Sequence, residues 1–143
     1  MAKILVSACL LGFPTRYDGG SKPCEAVLAL AKDNILIPIC PEQMGGLPTP
    51  RIPSERQSDG KTLRMKDGTD VTEQYTRGVD MALRLAELNS VDYCILKSGS
   101  PSCGKGEIYD GSFTGCKIPG NGVTTDALLK AGYKVFSEKE ISD

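Results

Sequence analysis

Six cysteines and the absence of histidine define what chemistry this 143-residue chain can perform. Without histidine, a Ser-His-Asp triad, a Cys-His dyad and an H-E-x-x-H zinc site are all excluded. A metal must be bound by thiolate, carboxylate or backbone groups, and a general base must be Asp, Glu, Lys, Tyr or Cys. The placement of the cysteines therefore becomes the main question.

Three of the cysteines occupy similar places in the sequence. No two of the six form a C-x-x-C pair, so a zinc ribbon or a thioredoxin-like motif is unsupported. Cys9, Cys40 and Cys103 each follow a short apolar run and lie near glycine or proline. If these three thiolates meet, they favour a soft metal centre, either zinc or iron–sulfur. Three protein ligands would leave one coordination position open, which is typical of a catalytic site.

Polar residues next to these cysteines are candidates for catalysis. Glu42 lies two residues after Cys40 and could act as a general base, with a solvated loop carboxylate as the alternative. Ser100 and Ser102 lie next to Cys103, and their hydroxyl groups could bind a substrate heteroatom or a cluster sulfur. The alternative for both serines is ordinary turn chemistry, which the proline between them favours.

Basic residues and one glycine-rich turn are weaker candidates for binding an anion. Arg16 and Arg51 could each bind an anionic group of a substrate, or could be surface or packing arginines. Lys97 has the same two interpretations. The backbone amides of residues 120–122 could bind a phosphate.

The other three cysteines have different surroundings in the sequence. Cys24 precedes a helical pattern, Cys94 lies inside an apolar run and Cys116 lies in a glycine-rich loop. Free cysteine is among the most often buried residue types and packs as a small hydrophobic residue. We therefore expect these three cysteines to be structural, with a redox or accessory role as the alternative for Cys24 and Cys116.

Apolar runs that alternate with amphipathic stretches indicate the elements that would position these residues. Continuous apolar runs predict strands buried on both faces of a parallel sheet, at Ile4–Ser7, Ile35–Ile39, Tyr93–Leu96 and Lys134–Phe136. Helical periodicity predicts helices over Cys24–Lys32, Val71–Asn89 and Thr124–Ala131.

This order of elements predicts one small α/β domain over residues 1–143. It would have three layers, with a Rossmann-like, mostly parallel sheet and flanking helices. Ligands of such folds bind in the crevice at the carboxyl ends of the strands. Cys9, Cys40 and Cys103 each follow a predicted strand, so we expect the three thiols to converge at that edge.

The segment between Pro41 and Asp70 does not fit this alternation. It contains four prolines and four glycines in 30 residues. A long irregular segment inside a compact domain is usually functional, so we expect residues 45–51 to form a rigid lid or pocket wall. Asp59-Gly60 predicts the turn of a short hairpin, and Asp70 with Glu73 predicts a capping box for the following helix.

Composition and the first residues limit the location and partners of the chain. The net charge of −1, from 17 basic and 18 acidic residues, argues against bulk binding to nucleic acid or an anionic membrane. Residues 1–9 look like a lipoprotein signal, but the apolar run between Lys3 and Cys9 is shorter than the ~7–15 residues of a secretory signal. No run approaches the ~20 apolar residues of a membrane span. We therefore expect a cytoplasmic protein with reduced thiols.

Six short motifs lie in order along nearly the whole chain. They are Ser7-Ala-Cys-Leu-Leu-Gly12, Arg16-Tyr-Asp-Gly19, Cys40-Pro-Glu42, Gly45-Gly-Leu-Pro-Thr-Pro-Arg51, Ser100-Pro-Ser-Cys-Gly104 and Tyr109-Asp-Gly111. Together they resemble the signature of the thiouracil desulfidase family. The resemblance implies a [4Fe-4S] cluster bound by Cys9, Cys40 and Cys103, with Glu42 as the catalytic glutamate and Ser100 as the catalytic serine.

The same resemblance implies removal of sulfur from thiolated uracil, as the free base, nucleoside or nucleotide. An iron without a protein ligand would act as a Lewis acid on the thiocarbonyl sulfur. Glu42 would deprotonate the attacking water, and Ser100 would place the substrate or relay a proton. The alternatives are a zinc hydrolase with three cysteine ligands, a non-catalytic iron–sulfur or sulfide-binding module, and a protein whose cysteines are all structural.

Overall fold

The structure is a computed structural model that describes residues 1–141. The strands are β1 (Lys3–Ser7), β2 (Ile35–Ile39), β3 (Ser54–Arg56), β4 (Leu63–Met65), β5 (Tyr93–Leu96), β6 (Glu107–Tyr109), β7 (Lys117–Pro119) and β8 (Val135–Ser137). The α-helices are α1 (Glu25–Ala29), α2 (Pro41–Met44), α3 (Thr72–Asn89) and α4 (Val123–Lys130), and short 3-10 helices cover Ala8–Leu11, Leu30–Lys32 and Glu138–Glu140. Within the described residues, no helix combines the length and apolar composition needed to cross a lipid bilayer.

Four parallel strands form the central sheet in the order β2-β1-β5-β8. Leu5 of β1 pairs with Ile37 on one side and with Cys94 on the other. The chain moves from β1 to β2 on one side and later to β5 on the other, so the strand order reverses between β1 and β5. These strands lie within one residue of the four predicted from apolar runs, and the α/β fold with a parallel sheet is confirmed. The reversal point is where such folds form their ligand crevice.

Helices cover both faces of the sheet, which gives the predicted three layers. On the face beneath α3 and α4, the buried core includes Leu5, Ile39, Ala82, Ala86, Cys94, Leu96 and Leu128. On the face beneath α1, it includes Ile4, Val6, Leu10, Val27 and Ile95. Successive strand residues point to opposite faces, so a strand covered on both sides must be apolar at every position.

Close packing of α2 on α3 depends on two glycines. A Cβ at Gly78 of α3 would overlap the carbonyl group of Pro41 in α2. A Cβ at Gly45, immediately after α2, would overlap the carbonyl group of Gln74 in α3. The two backbones therefore lie in direct contact, and this contact brings Glu42 of α2 to Tyr75 of α3.

Two antiparallel hairpins lie outside the central sheet. The first hairpin pairs β3 with β4, which confirms the turn predicted at Asp59-Gly60. Its first strand ends at Arg56 and its second strand begins at Leu63. The second pairs β6 with β7 and was not predicted, because its three-residue strands lie among glycines and carry no clear alternation.

Two details of the predicted helices are wrong. α3 begins at Thr72, and Val71 occupies the N-cap position without a side-chain hydrogen bond. Asp70 instead forms a turn in which its Oδ1 accepts a hydrogen bond from the backbone N–H of Thr72 at 2.9 Å. The helix predicted over Cys24–Lys32 is also not continuous, since α1 ends at Ala29 and a 3-10 turn follows.

Candidate active site

The structure places three cysteines at the carboxyl ends of three neighbouring strands. Cys9 lies in the 3-10 helix directly after β1, and Cys40 lies at the N-cap of α2 directly after β2. Cys103 lies in the loop that follows β5. Cys9 and Cys103 are buried and Cys40 is half-buried, and all three are free thiols. The predicted ligand residues therefore share one edge of the sheet.

Burial controls the ionisation of these thiols. Burial raises the pKa of Cys9 to about 11, although the positive charge of Lys97 acts to lower this pKa. Burial also raises the pKa of Cys40, and it raises the pKa of Cys103 well above the usual range. A charge on Cys40 further raises the pKa of both Cys9 and Cys103, so the three sulfurs lie within electrostatic reach of one another. Thiols in such surroundings stay protonated until a metal displaces the protons.

Three free thiols at one sheet edge form a soft donor set, which suits an iron–sulfur cluster or a zinc ion. Among residues 1–141, no three Cys, Asp or Glu side chains are arranged to hold one ion. A zinc ion held by three cysteines needs every sulfur about 2.3 Å from one atom. In a cluster each thiolate binds its own iron atom, so the sulfurs lie further apart. Cys9, Cys40 and Cys103 are the residues that could hold such a cluster.

The loop that carries Cys103 is fixed by hydrogen bonds at several points. The Ser100 hydroxyl oxygen accepts bonds from the backbone N–H groups of Ser102 and Cys103, both at 3.0 Å. The Thr125 hydroxyl of α4 donates to the Cys103 carbonyl oxygen at 2.8 Å. A Cβ at Gly122 would overlap the backbone of Ser102, so α4 also lies directly against the loop. The position of the Cys103 sulfur is therefore set by the surrounding fold.

Ser102, predicted to bind substrate, is fully buried. Its hydroxyl is paired with the hydroxyl of Thr124 at 2.7 Å. Its backbone carbonyl accepts a bond from the N–H of Thr124 at 2.9 Å. These contacts attach the loop to the start of α4 and leave the side chain no exposed atom for a substrate. The structure does not favour the substrate role that the sequence suggested.

The turn before α4 also differs from its predicted use. The first backbone N–H groups of α4 donate hydrogen bonds to the Cys103 loop. The N–H of Val123 donates to the carbonyl oxygen of Pro101 at 2.9 Å. The Gly122 N–H donates to the Gly104 carbonyl oxygen at 2.8 Å. These amides hold protein carbonyls rather than standing free for a phosphate.

Glu42 is the acidic residue nearest the three cysteines, and its two carboxylate oxygens have different surroundings. Oε2 accepts bonds from Arg51, at 3.0 Å from Nη2 and 3.3 Å from Nε, and from the Tyr75 hydroxyl at 3.3 Å. Oε1 lies 3.5 Å from the Ser100 hydroxyl. The side chain is 14% exposed. Oε1 is therefore the oxygen that remains available to water or substrate.

Arg51 is occupied by the protein itself. Its side chain is only 4% exposed. Besides Glu42, it donates to the Thr15 carbonyl oxygen at 3.0 Å and to the Thr49 hydroxyl at 2.9 Å. The irregular segment 45–51 thus forms one wall beside Glu42, as a rigid segment would. Arg51 was predicted to bind substrate, and in this structure its guanidinium group binds Glu42 instead.

Tyr75 was not singled out from the sequence, although its hydroxyl reaches Glu42. In α3 it belongs to an apolar stripe, where a tyrosine resembles any core aromatic residue. The only available signal is chemical, because a buried tyrosine hydroxyl needs a hydrogen-bond partner. Burial, reinforced by the negative charge of Glu42, raises its pKa well above the usual range, so its hydroxyl stays a neutral donor.

Two cations lie near Cys9 on the other side of the site. The Lys97 ammonium pairs with Glu138 at 3.3 Å and donates to the Ser98 carbonyl oxygen at 2.8 Å. Arg16 pairs with the exposed Asp18, at 3.5 Å, and its side chain is 27% exposed. Both positive charges lower the pKa of Cys9. Arg16 is therefore the predicted binding residue that still has accessible donors.

A small cavity of about 230 Å³ lies beside Cys40, with Phe13, Thr15 and Met44 among its walls. A larger groove of about 710 Å³ lies at the opposite end of β5 and β8 and contains none of the predicted site residues. Of the predicted cluster ligands and catalytic residues, Cys40 alone lines the smaller cavity, so we place the chemistry by the sheet edge that carries the three thiols rather than by either cavity.

The remaining cysteines lie outside this site. Cys94 is completely buried in β5, as expected of a core residue. Cys24 is half-buried at the start of α1. Cys116 is exposed, so its interpretation as a buried hydrophobic residue is wrong; it stands just before β7 on the surface hairpin.

Comparisons with known proteins show what the chain as a whole is similar to. The model of the family described as 2-thiouracil desulfurase matches residues 4–140. The uncharacterized protein YbbK of Bacillus subtilis (strain 168) is 40% identical over 148 aligned positions, covering 98% of this chain and 98% of that protein. The solved structure of the [4Fe-4S]-dependent thiouracil desulfidase TudS is 45% identical, with a TM-score of 0.89, covering 98% of this chain and 93% of that chain.

Proposed function

Because the chain belongs to the 2-thiouracil desulfurase family, we propose that it removes sulfur from thiolated uracil, as free base, nucleoside or nucleotide. Water replaces the sulfur, so the products are the carbonyl form of the pyrimidine and hydrogen sulfide. The exchange involves no net oxidation or reduction and needs no electron donor. We place the reaction in the cytoplasm, where thiols stay reduced.

The observation that carries this proposal is the Glu42 carboxylate at the edge where the three thiols lie, with Oε1 contacted by the Ser100 hydroxyl at 3.5 Å and not by Arg51 or Tyr75. A general base must stand within hydrogen-bond reach of the proton it removes, and it must be fixed there. The contacts of Glu42 support this role, because Oε2 is held by Arg51 while Oε1 is directed toward Ser100. No histidine is needed for this arrangement.

In the proposed site, Cys9, Cys40 and Cys103 would hold a [4Fe-4S] cluster. When bound, the cluster supplies a Lewis acid that polarises the carbon–sulfur double bond of the substrate. The TudS structure, named as [4Fe-4S]-dependent, supports this choice of cofactor.

The side chains of the protein would then carry out the proton transfers. Oε1 of Glu42 takes a proton from water as the oxygen attacks the ring carbon. The Ser100 hydroxyl, whose proton points to Oε1 of Glu42 across 3.5 Å, holds the water or substrate against that carboxylate. As the carbon–sulfur bond breaks, the proton held by Glu42 and the hydroxyl proton of the adduct pass to the departing sulfur, which leaves as hydrogen sulfide and returns Glu42 to its carboxylate form.

An anaerobic sulfide-release assay on reconstituted protein tests this proposal. Thiouracil, thiouridine and thiouridine monophosphate are compared side by side, with uracil formation measured in parallel. We expect one sulfide and one carbonyl product per turnover, together with about four irons and four sulfides per chain. One zinc per chain with hydrolytic activity would support the zinc hydrolase, and a cluster without turnover would support the non-catalytic module.

A further inference from the structure

We propose that Tyr75 is a positioning residue for Glu42, and that with Arg51 it leaves a single carboxylate oxygen free to take part in the reaction. This inference rests on the proposed desulfidase function and deepens it. It gives Tyr75 a role beyond core packing, and it gives Arg51 a role that does not involve contact with the substrate.

The contacts on Glu42 carry the inference. A carboxylate can accept protons at two equivalent oxygens, and free rotation would exchange them. Here Oε2 receives Arg51 at 3.0 Å and Tyr75 at 3.3 Å, from two different elements of the fold. Tyr75 is 2% exposed, so its hydroxyl lies in the protein interior beside Glu42. The carboxylate is therefore held in one orientation, with Oε1 facing Ser100.

Tyr75 has no proton to exchange under ordinary conditions. Burial and the nearby Glu42 charge raise its pKa well above the usual range. Its contribution is a fixed, neutral hydrogen bond, and any effect on turnover must pass through Glu42.

Arg51 acts in the same way. Its remaining donors hold the carbonyl oxygen of Thr15 and the hydroxyl of Thr49, so the guanidinium group is locked on the protein side of Glu42. A planar guanidinium fixes a carboxylate through directional N–H donors, which a lysine ammonium cannot reproduce.

The test uses Tyr75→Phe in two backgrounds. In the otherwise unchanged enzyme, loss of the hydroxyl should lower kcat about 10-fold while KM changes less than twofold, because a misplaced base slows the chemical step. In the Glu42→Gln background the same substitution should not lower the residual kcat further, since there is no base left to position. A fall of equal size in both backgrounds would mean a merely structural role and would overturn the proposal.

Arg51→Lys serves as the second variant and should show the same dependence on Glu42. Tyr133→Phe is the matched control, because Tyr133 is a half-buried tyrosine at the far end of the sheet. It should leave kcat unchanged. Iron content must stay at the wild-type level in all variants, which separates loss of positioning from loss of the cluster.

A double-mutant cycle in thermal stability provides a readout independent of turnover. Tyr75→Phe and Glu42→Gln should have non-additive effects on Tm, because each removes one partner of the same contact. Additive effects would contradict the contact itself. If the wild-type protein desulfurises none of the thiolated pyrimidines, the proposed function fails, and this cycle still decides whether Tyr75 and Glu42 are coupled.

Discussion

On one side of the candidate site, the side chains are held by residues that are distant in the sequence. On the other side, the loop after Cys9 combines its own turns with bonds from Arg51 to the carbonyl oxygens of Thr15 and Tyr17. We call the first region the base wall, formed by Glu42, Arg51, Tyr75, Ser100 and Cys103. We call residues 12–20 the Cys9 loop. In that loop the N–H of Arg16 donates to Gly20 and the N–H of Gly19 donates back to Arg16.

The base wall is also less exposed to solvent than the Cys9 loop. Tyr75 and Cys103 of the base wall are buried, and Arg51 is nearly so. Phe13 and Tyr17 of the Cys9 loop are 49% and 43% exposed. A reacting base must be fixed to within a fraction of an ångström, and a rigid scaffold provides this precision. Surface loops with accessible side chains are better suited to contacting a substrate.

The largest expected effect is the loss of a cluster ligand from the base wall. Cys103→Ser should abolish cluster binding and turnover, because serine does not replace a thiolate on iron. Iron per chain and the visible absorption of the reconstituted protein measure this. Cys116→Ser is the matched control, since Cys116 is exposed on the surface hairpin, and it should retain full iron content. Equal iron in both variants would remove Cys103 from the ligand set.

The next effect concerns the base itself. Glu42→Gln should keep the cluster and lower kcat by about 10²-fold or more, which is a typical contribution of a general base. Single-turnover sulfide release with iron analysis on the same sample separates the two properties. Turnover close to that of the wild type would exclude Glu42 from proton transfer.

A third effect tests how rigid the base wall is. Gly122→Ala should destabilise the protein by about 1–3 kcal/mol, because the new Cβ would overlap the backbone of Ser102. For a domain of this size that corresponds to a fall in Tm of roughly 2–4 °C per kcal/mol. Tyr17→Ala in the Cys9 loop should stay within about 0.5 kcal/mol, as surface substitutions usually do. Similar changes in both variants would show that the two regions do not differ in rigidity.

The smallest effect is expected in the Cys9 loop. Arg16→Ala should raise KM for thiouridine monophosphate by about fivefold or less and leave kcat unchanged, since an exposed ion pair contributes at most about 1 kcal/mol. KM for uncharged thiouracil should not change. A lowered kcat for both substrates would instead mean that Arg16 contributes to the chemical step, as the residues of the base wall do.

Much of the fold was predictable because its pattern is local. Ile35–Ile39 and Tyr93–Leu96 were predicted with the bounds they have in the structure, because each is a short continuous apolar run. The β6–β7 hairpin was missed because three-residue strands among glycines carry too little pattern. The end of α3 was placed correctly at Asn89, whereas its N-cap was placed one residue too early, because Asp70 can form either a cap or a turn.

Within the candidate site, the sequence could predict only the residues that lie near the end of a strand. Cys9, Cys40 and Glu42 follow β1 and β2 within a few residues, so the topology of a parallel sheet already brings them together. Ser102 has the same kind of position, yet its side chain points into the protein and meets Thr124. A position near a strand end predicts that a residue lies close to the crevice, but it does not predict the direction in which the side chain points.

The sequence by itself determined the parallel sheet, the absence of histidine chemistry and the set of thiols at one sheet edge, because residue type and periodicity encode these directly. The tertiary structure alone decided that Arg51 and Tyr75 both meet Oε2 of Glu42, which leaves Oε1 facing Ser100. Tyr75 is 33 residues from Glu42, and their contact exists because Gly45 and Gly78 let α2 lie against α3. Such a contact depends on how two helices pack, and no local pattern in the chain specifies it.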